Sequence, residues 1–197
     1  MWVRGLLLAI ALPLALAGCS YPEANNSSDA LIASKRFANT GPTTLTLYTV
    51  ISNTSGSGAH SGLAISGSEH ILFDPAGSFA HPKVAERDDV VFGFGPSLRS
   101  SYIDYHSRIT FYTVEQTIEV TPEVAEMALR KALAYGAVPH AMCANSITDI
   151  LSQLPGFEGI KRTYYPGKLM DNFASLANVK TQTYRDDDPD EKVVDLQ

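Results

Sequence analysis

Three side chains in this 197-residue sequence have the types needed to break an acyl bond: Cys143 in HAMCANSITDIL, His60 in HSGLAIS and Asp74 in ILFDP. A thiol becomes a strong nucleophile when it loses its proton, so it needs a base within reach and a third group to orient that base. Cys143 stands where a helix should begin, after Pro139 and ahead of the stripe Ile147, Ile150, Leu151 and Leu154. There the helix dipole and unpaired amides stabilise a thiolate. The amides of Cys143 and Ala144 are candidates to receive an oxyanion. His60 follows the Gly/Ser stretch NTSGSGA, and Gly62 leaves room beside its ring. Asp74 comes one strand and one turn later, where an adjacent antiparallel strand would let it accept a hydrogen bond from the imidazole.

Other readings of the same residues stand beside this one. The chain has two cysteines, Cys19 and Cys143. If Cys19 is modified, Cys143 has no intrachain partner and is a small buried hydrophobe, half of an intermolecular bridge, or a nucleophile. His60 is otherwise a capping or surface histidine, and the Asp74-Pro75 pair a turn start. His140 and Cys143 are too few ligands for a metal site. His81 and His106 read as loop histidines, while His140 sits in a connection that could line the cleft. Tyr102, Tyr105, Tyr112, Tyr164 and Tyr165 read as half-buried packing or as a groove lining.

The elements that must position these residues change character along the chain. Thr43–Ser52 and His60–Ser66 read as strands, and GSEH as a turn into a strand at Ile71–Pro75. Val90–Gly95 is a short apolar strand or loop, PSLRSSYIDYHS is irregular, and RITFYTV with QTIEV reads as a hairpin. Then the period becomes helical. Thr121 caps a helix with Pro122 and Glu123 in its first turn; Ala125, Ala128, Leu129, Ala132 and Leu133 share a face, and Gly136 ends it. A second helix runs from Cys143 to Leu154 and stops at Pro155-Gly156, and a last one starts near Lys168. Strands followed by helices predict an α+β fold with an antiparallel sheet.

The ends are different in composition. The opening MWVRGLLLAIALPLALAGCS has one positive charge, an apolar run too short to span a bilayer, and the tetrad LAGC. It resembles a bacterial lipoprotein signal, which implies a signal peptide at 1–18 and lipid on Cys19. Ser20 implies sorting to the outer membrane, facing the periplasm. Residues 19–42 read as a tether with a short ordered piece at ALIASKRFA, 43–184 as one domain, and 185–197 as a solvated acidic tail. The net charge of −6, with no basic stripe, argues against nucleic acid as a partner.

HSGLAISGSEHILFDPAGS followed by MCANSITDIL resembles the NlpC-type papain-like superfamily, in which a His begins a strand and a Cys heads a helix. In its familiar members the Cys comes first. Here it follows His60 by about eighty residues, as in the circularly permuted branch, and the likeness spans roughly Thr43 to Leu176. The resemblance implies Cys143 as nucleophile, His60 as base and Asp74 as orienting residue, although many members have His, Glu, Gln or Asn in the third place. It implies a cysteine hydrolase without a cofactor, with peptidoglycan peptides as substrate. Lipid-ester or acyl-transfer chemistry on envelope lipid is an alternative, and an apolar groove would favour it. A third reading is a non-catalytic binding lipoprotein, with Cys143 buried or beyond reach of His60.

Overall fold

The computed structural model describes residues 26–191 with 194 and 196. The expected signal peptide and Cys19 lie outside the described residues. Seven strands form one antiparallel sheet: β1 Thr44–Ser52, β2 Gly58–Ser66, β3 His70–Phe73, β4 Glu86–Arg87, β5 Val90–Phe92, β6 Phe111–Glu119 and β7 Lys180–Tyr184. Their order is β4-β5-β3-β2-β1-β6-β7. The helices are α1 Asp29–Lys35, α2 Pro96–His106, α3 Pro122–Leu133, α4 Cys143–Leu151 and α5 Pro166–Ala174. The fold is therefore α+β, as the order of strands and helices predicts.

Strand alternation separates two cores. Leu45, Leu47, Leu63, Ile65, Ile71 and Phe73 point to one face and pack against α3, α4 and α5 through Ala128, Leu129, Ile147, Leu151, Leu169 and Phe173. Tyr48, Ala64, Leu72 and Val91 point the other way, onto Tyr102, Ile103 and Tyr105 of α2. β1 lies between β2 and β6 with a core on each of its faces, and its run of buried residues is unbroken from Leu45 to Ile51. α3 begins as its sequence signals require: the Thr121 side chain accepts from the Val124 amide, with Pro122 at the first position and Glu123 in the first turn.

Two segments differ from the sequence expectation, and two more carry structure to which it assigns none. PSLRSSYIDYHS is not irregular but forms α2, capped by Gly95 with Pro96 at its start. It buries Ser101, Tyr102, Ile103, Tyr105 and His106, a mixed aromatic and polar face with no aliphatic stripe to announce it. RITFYTV and QTIEV are not a hairpin. Phe111–Glu119 is one strand, pairing with β1 from Thr44↔Glu119 to Ser52↔Phe111. The Glu115-Gln116 pair that looks like a turn is buried in mid-strand. KTQTY forms the edge strand β7, whose exposed residues carry no hydrophobic pattern. The acidic tail folds back: the Ile109 amide donates to the Asp188 carbonyl, the Thr110 hydroxyl donates to Asp190, and Val194 is buried beside Tyr102 and Tyr105. The piece ALIASKRFA does contain the short helix α1. Arg36 holds it to the sheet with two bonds to Glu69.

Candidate active site

The site lies where β2 and β3 part. Their ladder runs from Ser66↔His70 to Leu63↔Phe73 and stops. Before Leu63 the β2 edge has no partner from β3, and the Ser61 amide there lies close enough to the Cys143 sulfur to favour its thiolate. Backbone polar groups must find partners when buried, so the parting of two strands makes the seat for the thiol.

Asp74 is the first residue past β3, and His60 is two residues before Gly62 on β2. His60 Nε2 and Asp74 Oδ1 are 2.7 Å apart. Gly62 makes this approach possible: a Cβ there would stand 2.6 Å from the Tyr102 hydroxyl and 3.2 Å from Asp74 Oδ1. With Nε2 on Asp74, the other ring nitrogen, Nδ1, is left for Cys143, whose sulfur lies within interaction range of the ring. The structure thus brings Cys143, His60 and Asp74 into one chain of contacts. Cys143 is 6 % exposed and Asp74 3 %, and the His60 side chain is 16 % exposed.

The helix head contributes as its position predicts. Met142, the residue before α4, makes no side-chain cap, and the first intrahelical amide bond is Ser146 to the Met142 carbonyl. The amides of Cys143, Ala144 and Asn145 are therefore free of helical partners. Ala144 N–H points at the sulfur in the resting structure. Ala141, two residues ahead of the thiol, has φ 64°, a left-handed value rare without glycine.

Burial opposes every charge in this cluster, yet the partners prevail. Desolvation pushes the His60 pKa down, but the Asp74 carboxylate and the Cys143 sulfur raise it to about 10. Desolvation pushes Cys143 up; the His60 ring and the amides of Ser61 and Ala144 bring it below the ordinary thiol value. Asp74 stays below the usual carboxylate range against its own burial, held by His60, by the field of His106 and by the Tyr102 hydroxyl. The three shifts favour a thiolate–imidazolium pair with an ionised Asp74.

The sequence reading missed three contributors. Tyr102, fully buried, donates its hydroxyl to Asp74 Oδ1 at 2.7 Å. His106 is not a loop histidine: it closes α2, is buried, donates Nδ1–H to the Tyr102 carbonyl at 2.9 Å, and stacks on His60 at 5.7 Å between ring centroids. Asp89 accepts the amides of Ala76 at 3.0 Å and Val138 at 2.8 Å. None of them lies in the Cys, His or Asp motif; the burial of α2 brings in Tyr102 and His106, and the β4–β5 turn brings in Asp89. Of the remaining candidates, His81 is in a loop and accepts from the Lys83 amide, and His140 is exposed in the turn before α4. Tyr102 and Tyr105 are buried, whereas Tyr164 and Tyr165 are 57 % and 72 % exposed.

A cavity of about 330 Å³ opens beside His60 and His106, walled by Val50, Ala59, Tyr105 and Phe111 together with the charged Arg108 and Asp190. A larger one, of about 600 Å³, lies over Thr46, Thr117 and Arg99 on the α2 face of the sheet and touches none of the three site residues. Among the described residues, Asp104, Asp186 and Asp188 bring carboxylate oxygens within 4.8 Å of one another. The Arg108 guanidinium already takes both Asp104 oxygens, which meets that charge without an ion. No helix of the described residues is long and apolar enough to cross a membrane. Comparison with family models, curated proteins and solved structures gives no match for this chain.

Proposed function

We propose that this chain is a cell-envelope cysteine hydrolase of the permuted papain-like kind, with Cys143 as nucleophile, His60 as base and Asp74 as orienting residue. The observation that carries the reading is the unbroken path from Asp74 Oδ1 through the His60 ring to the Cys143 sulfur, with 2.7 Å between Asp74 and His60. The Cys143 thiolate attacks an acyl carbon and forms a C–S bond. The carbonyl oxygen becomes an oxyanion facing the amides of Cys143 and Ala144. The bond to the leaving nitrogen then breaks, and His60 passes its proton to that nitrogen. Water, giving a proton to His60, adds to the thioester carbon; the C–S bond breaks, the carboxylic product leaves, and the thiolate–imidazolium pair is restored. The substrate proposed is an amide bond in peptidoglycan peptides, reached by a protein anchored through lipid on Cys19.

A specific observation favours a second reading, lipid-ester hydrolysis or acyl transfer by the same residues. The cavity beside His60 has a mostly apolar surface, with Val50, Ala59, Tyr105 and Phe111 in its wall beside the polar Arg108, Thr110 and Asp190, which suits an acyl chain with a polar end better than a highly charged peptide. The third reading, a non-catalytic binding lipoprotein, expects a Cys143 that is buried or beyond reach of His60; the burial of Cys143 suits it, and the closeness of His60 speaks for the catalytic reading instead.

The test uses the Cys19→Ser chain, in which Cys143 is the sole thiol, alkylated from about pH 4 to 10 with and without His60→Ala. An unperturbed thiol titrates near ~8.5. Reactivity that persists at acidic pH and vanishes with His60→Ala is expected. An inert thiol, or one that titrates at the free value whatever stands at 60, rejects the catalytic reading. Hydrolysis of a peptidoglycan stem peptide against that of a long-chain acyl ester then separates the two substrates.

A further inference from the structure

The two-residue turn between β4 and β5 is unusual for its sequence. Arg87 pairs with Val90, so Asp88 and Asp89 alone make the connection. Their φ values are 50° and 63°. A two-residue hairpin with both φ positive prefers Asn-Gly, because glycine takes the left-handed region without steric cost. The second position here keeps a side chain that the backbone does not favour, and that side chain is buried at 8 % exposure. Its charged neighbours Asp74 and Asp88 both repel it, and burial adds to the cost of its charge. A residue that is unfavourable in conformation and in charge calls for a compensating role.

Its contacts supply one. Oδ2 accepts the Ala76 amide, in the turn just past Asp74, and the Val138 amide, in the segment that leads into Cys143. The Asp89 carbonyl accepts the Asp74 amide at 2.8 Å. The two chain segments joined by this one oxygen carry the two ends of the Asp74–His60–Cys143 path. Both are held away from regular structure, with Ala76 at φ 57° and Ala141 at φ 64°, so neither has a ladder or helix to fix its place.

We propose that Asp89 is a positioning residue for the Cys143–His60 pair, tying the turn after Asp74 to the lead-in of α4 and so setting the thiol at hydrogen-bonding distance from the imidazole. This rests on the catalytic reading of that pair. The charged and titratable groups around the thiol are His60, Asp74 and Tyr102; Asp89 acts on them through the backbone and not by contact with the sulfur.

The experiment compares Asp89→Gly and Asp89→Asn in the Cys19→Ser chain. Glycine relieves the turn, so a residue that serves only the hairpin should be neutral or better as glycine. Asparagine tolerates the left-handed turn and keeps a carbonyl oxygen for both amides. The expected result is that Asp89→Gly raises the pH midpoint of Cys143 alkylation by about one unit or more toward the free-thiol value. It should also speed hydrogen exchange at the Ala76 and Val138 amides, while Asp89→Asn leaves both close to the parent. A native midpoint in Asp89→Gly, or equal shifts in the two variants, overturns the tether. A parent chain whose thiol already titrates as a free one rejects the catalytic reading itself and this role with it.

Discussion

The two faces of the sheet are built from different materials. Toward α3, α4 and α5 the core is aliphatic: Leu45, Leu47, Leu63, Ile65 and Ile71 meet Leu129, Ile147, Leu151 and Leu169. Toward α2 it is aromatic and polar, with Tyr48, Phe79, Phe94 and Tyr102 around Asp74, His106 and the ion pair of Arg99 and Glu115. The first face carries Cys143 at the head of α4, and the second carries Asp74 and His106 around the His60 ring. Apolar packing is directionless and tolerates exchange of one aliphatic residue for another. The second face works through hydrogen bonds that each need a particular atom in a particular place. Damage to the first face should cost stability at every pH, whereas damage to the second should change the chemistry of the thiol and cost stability only where its charges are present.

The largest expected effect is that of His60→Ala on stability, and its pH dependence separates the charged face from the aliphatic one. The folded pKa of His60 is raised, so its contribution is fully present below the unfolded value of about 6.5 and is lost as pH rises through about 10. The gap in urea midpoint between parent and His60→Ala should therefore narrow over that window; a gap constant with pH would break the assignment. Next comes Phe173→Ala, a fully buried side chain on the aliphatic face, expected to cost about 3–5 kcal/mol. Its alkylation midpoint, read below the unfolding transition, should match the parent, and a shift of that midpoint would dissolve the contrast between the faces.

Tyr102→Phe keeps the volume and removes one donor from Asp74, a change of about 1–3 kcal/mol for a buried acceptor. Because that hydroxyl helps to hold Asp74 ionised, the lower pH limit of thiolate reactivity should move upward. Gly62→Ala, which displaces the same hydroxyl, should move it the same way. The smallest effect belongs to Glu115→Gln. The carboxylate accepts from Tyr48, Arg99 and Tyr184, but Arg99 is 38 % exposed and water screens the pair, so about 1 kcal/mol is expected. The pKa of Glu115 is depressed. Its contribution is present above the unfolded value of about 4.3 and lost as pH falls through the folded one, so parent and variant should converge in acid.

The same contrast decides what could be read from the chain. The stripe Ile147, Ile150, Leu151 and Leu154 marks α4 at sight, because burying aliphatic residues at helical spacing is a local pattern. Thr121, Pro122 and Glu123 mark the start of α3 for the same reason. Tyr102, Tyr105 and His106 lie at helical spacing too, but among Ser97, Arg99, Ser100 and Ser101 they read as loop. What makes α2 is the aromatic pocket that Tyr48, Phe79 and Phe94 provide from three other parts of the chain. Glu115 reads as a turn residue until Arg99, Tyr48 and Tyr184 are known to meet it. Cys143, His60 and Asp74 were legible because a helix head and a strand start are local signals. Asp89 was not, since its value lies in joining two segments that the sequence keeps about sixty residues apart.

The pairing of β1 with β6 bears on the order in which the chain can fold. Every partner in that ladder is separated by about sixty to seventy-five residues, and the thiol lies beyond the later strand. Non-local pairings of this kind are slow to form. The central strand cannot be completed until Glu119 has been synthesised, and α4 cannot dock until some thirty residues after that. Until α4 docks, Cys143 lacks the imidazole and the helix head, and titrates as an ordinary thiol. Whatever reactivity the sulfur has is therefore a late product of folding, and a molecule that stalls on the way remains chemically quiet.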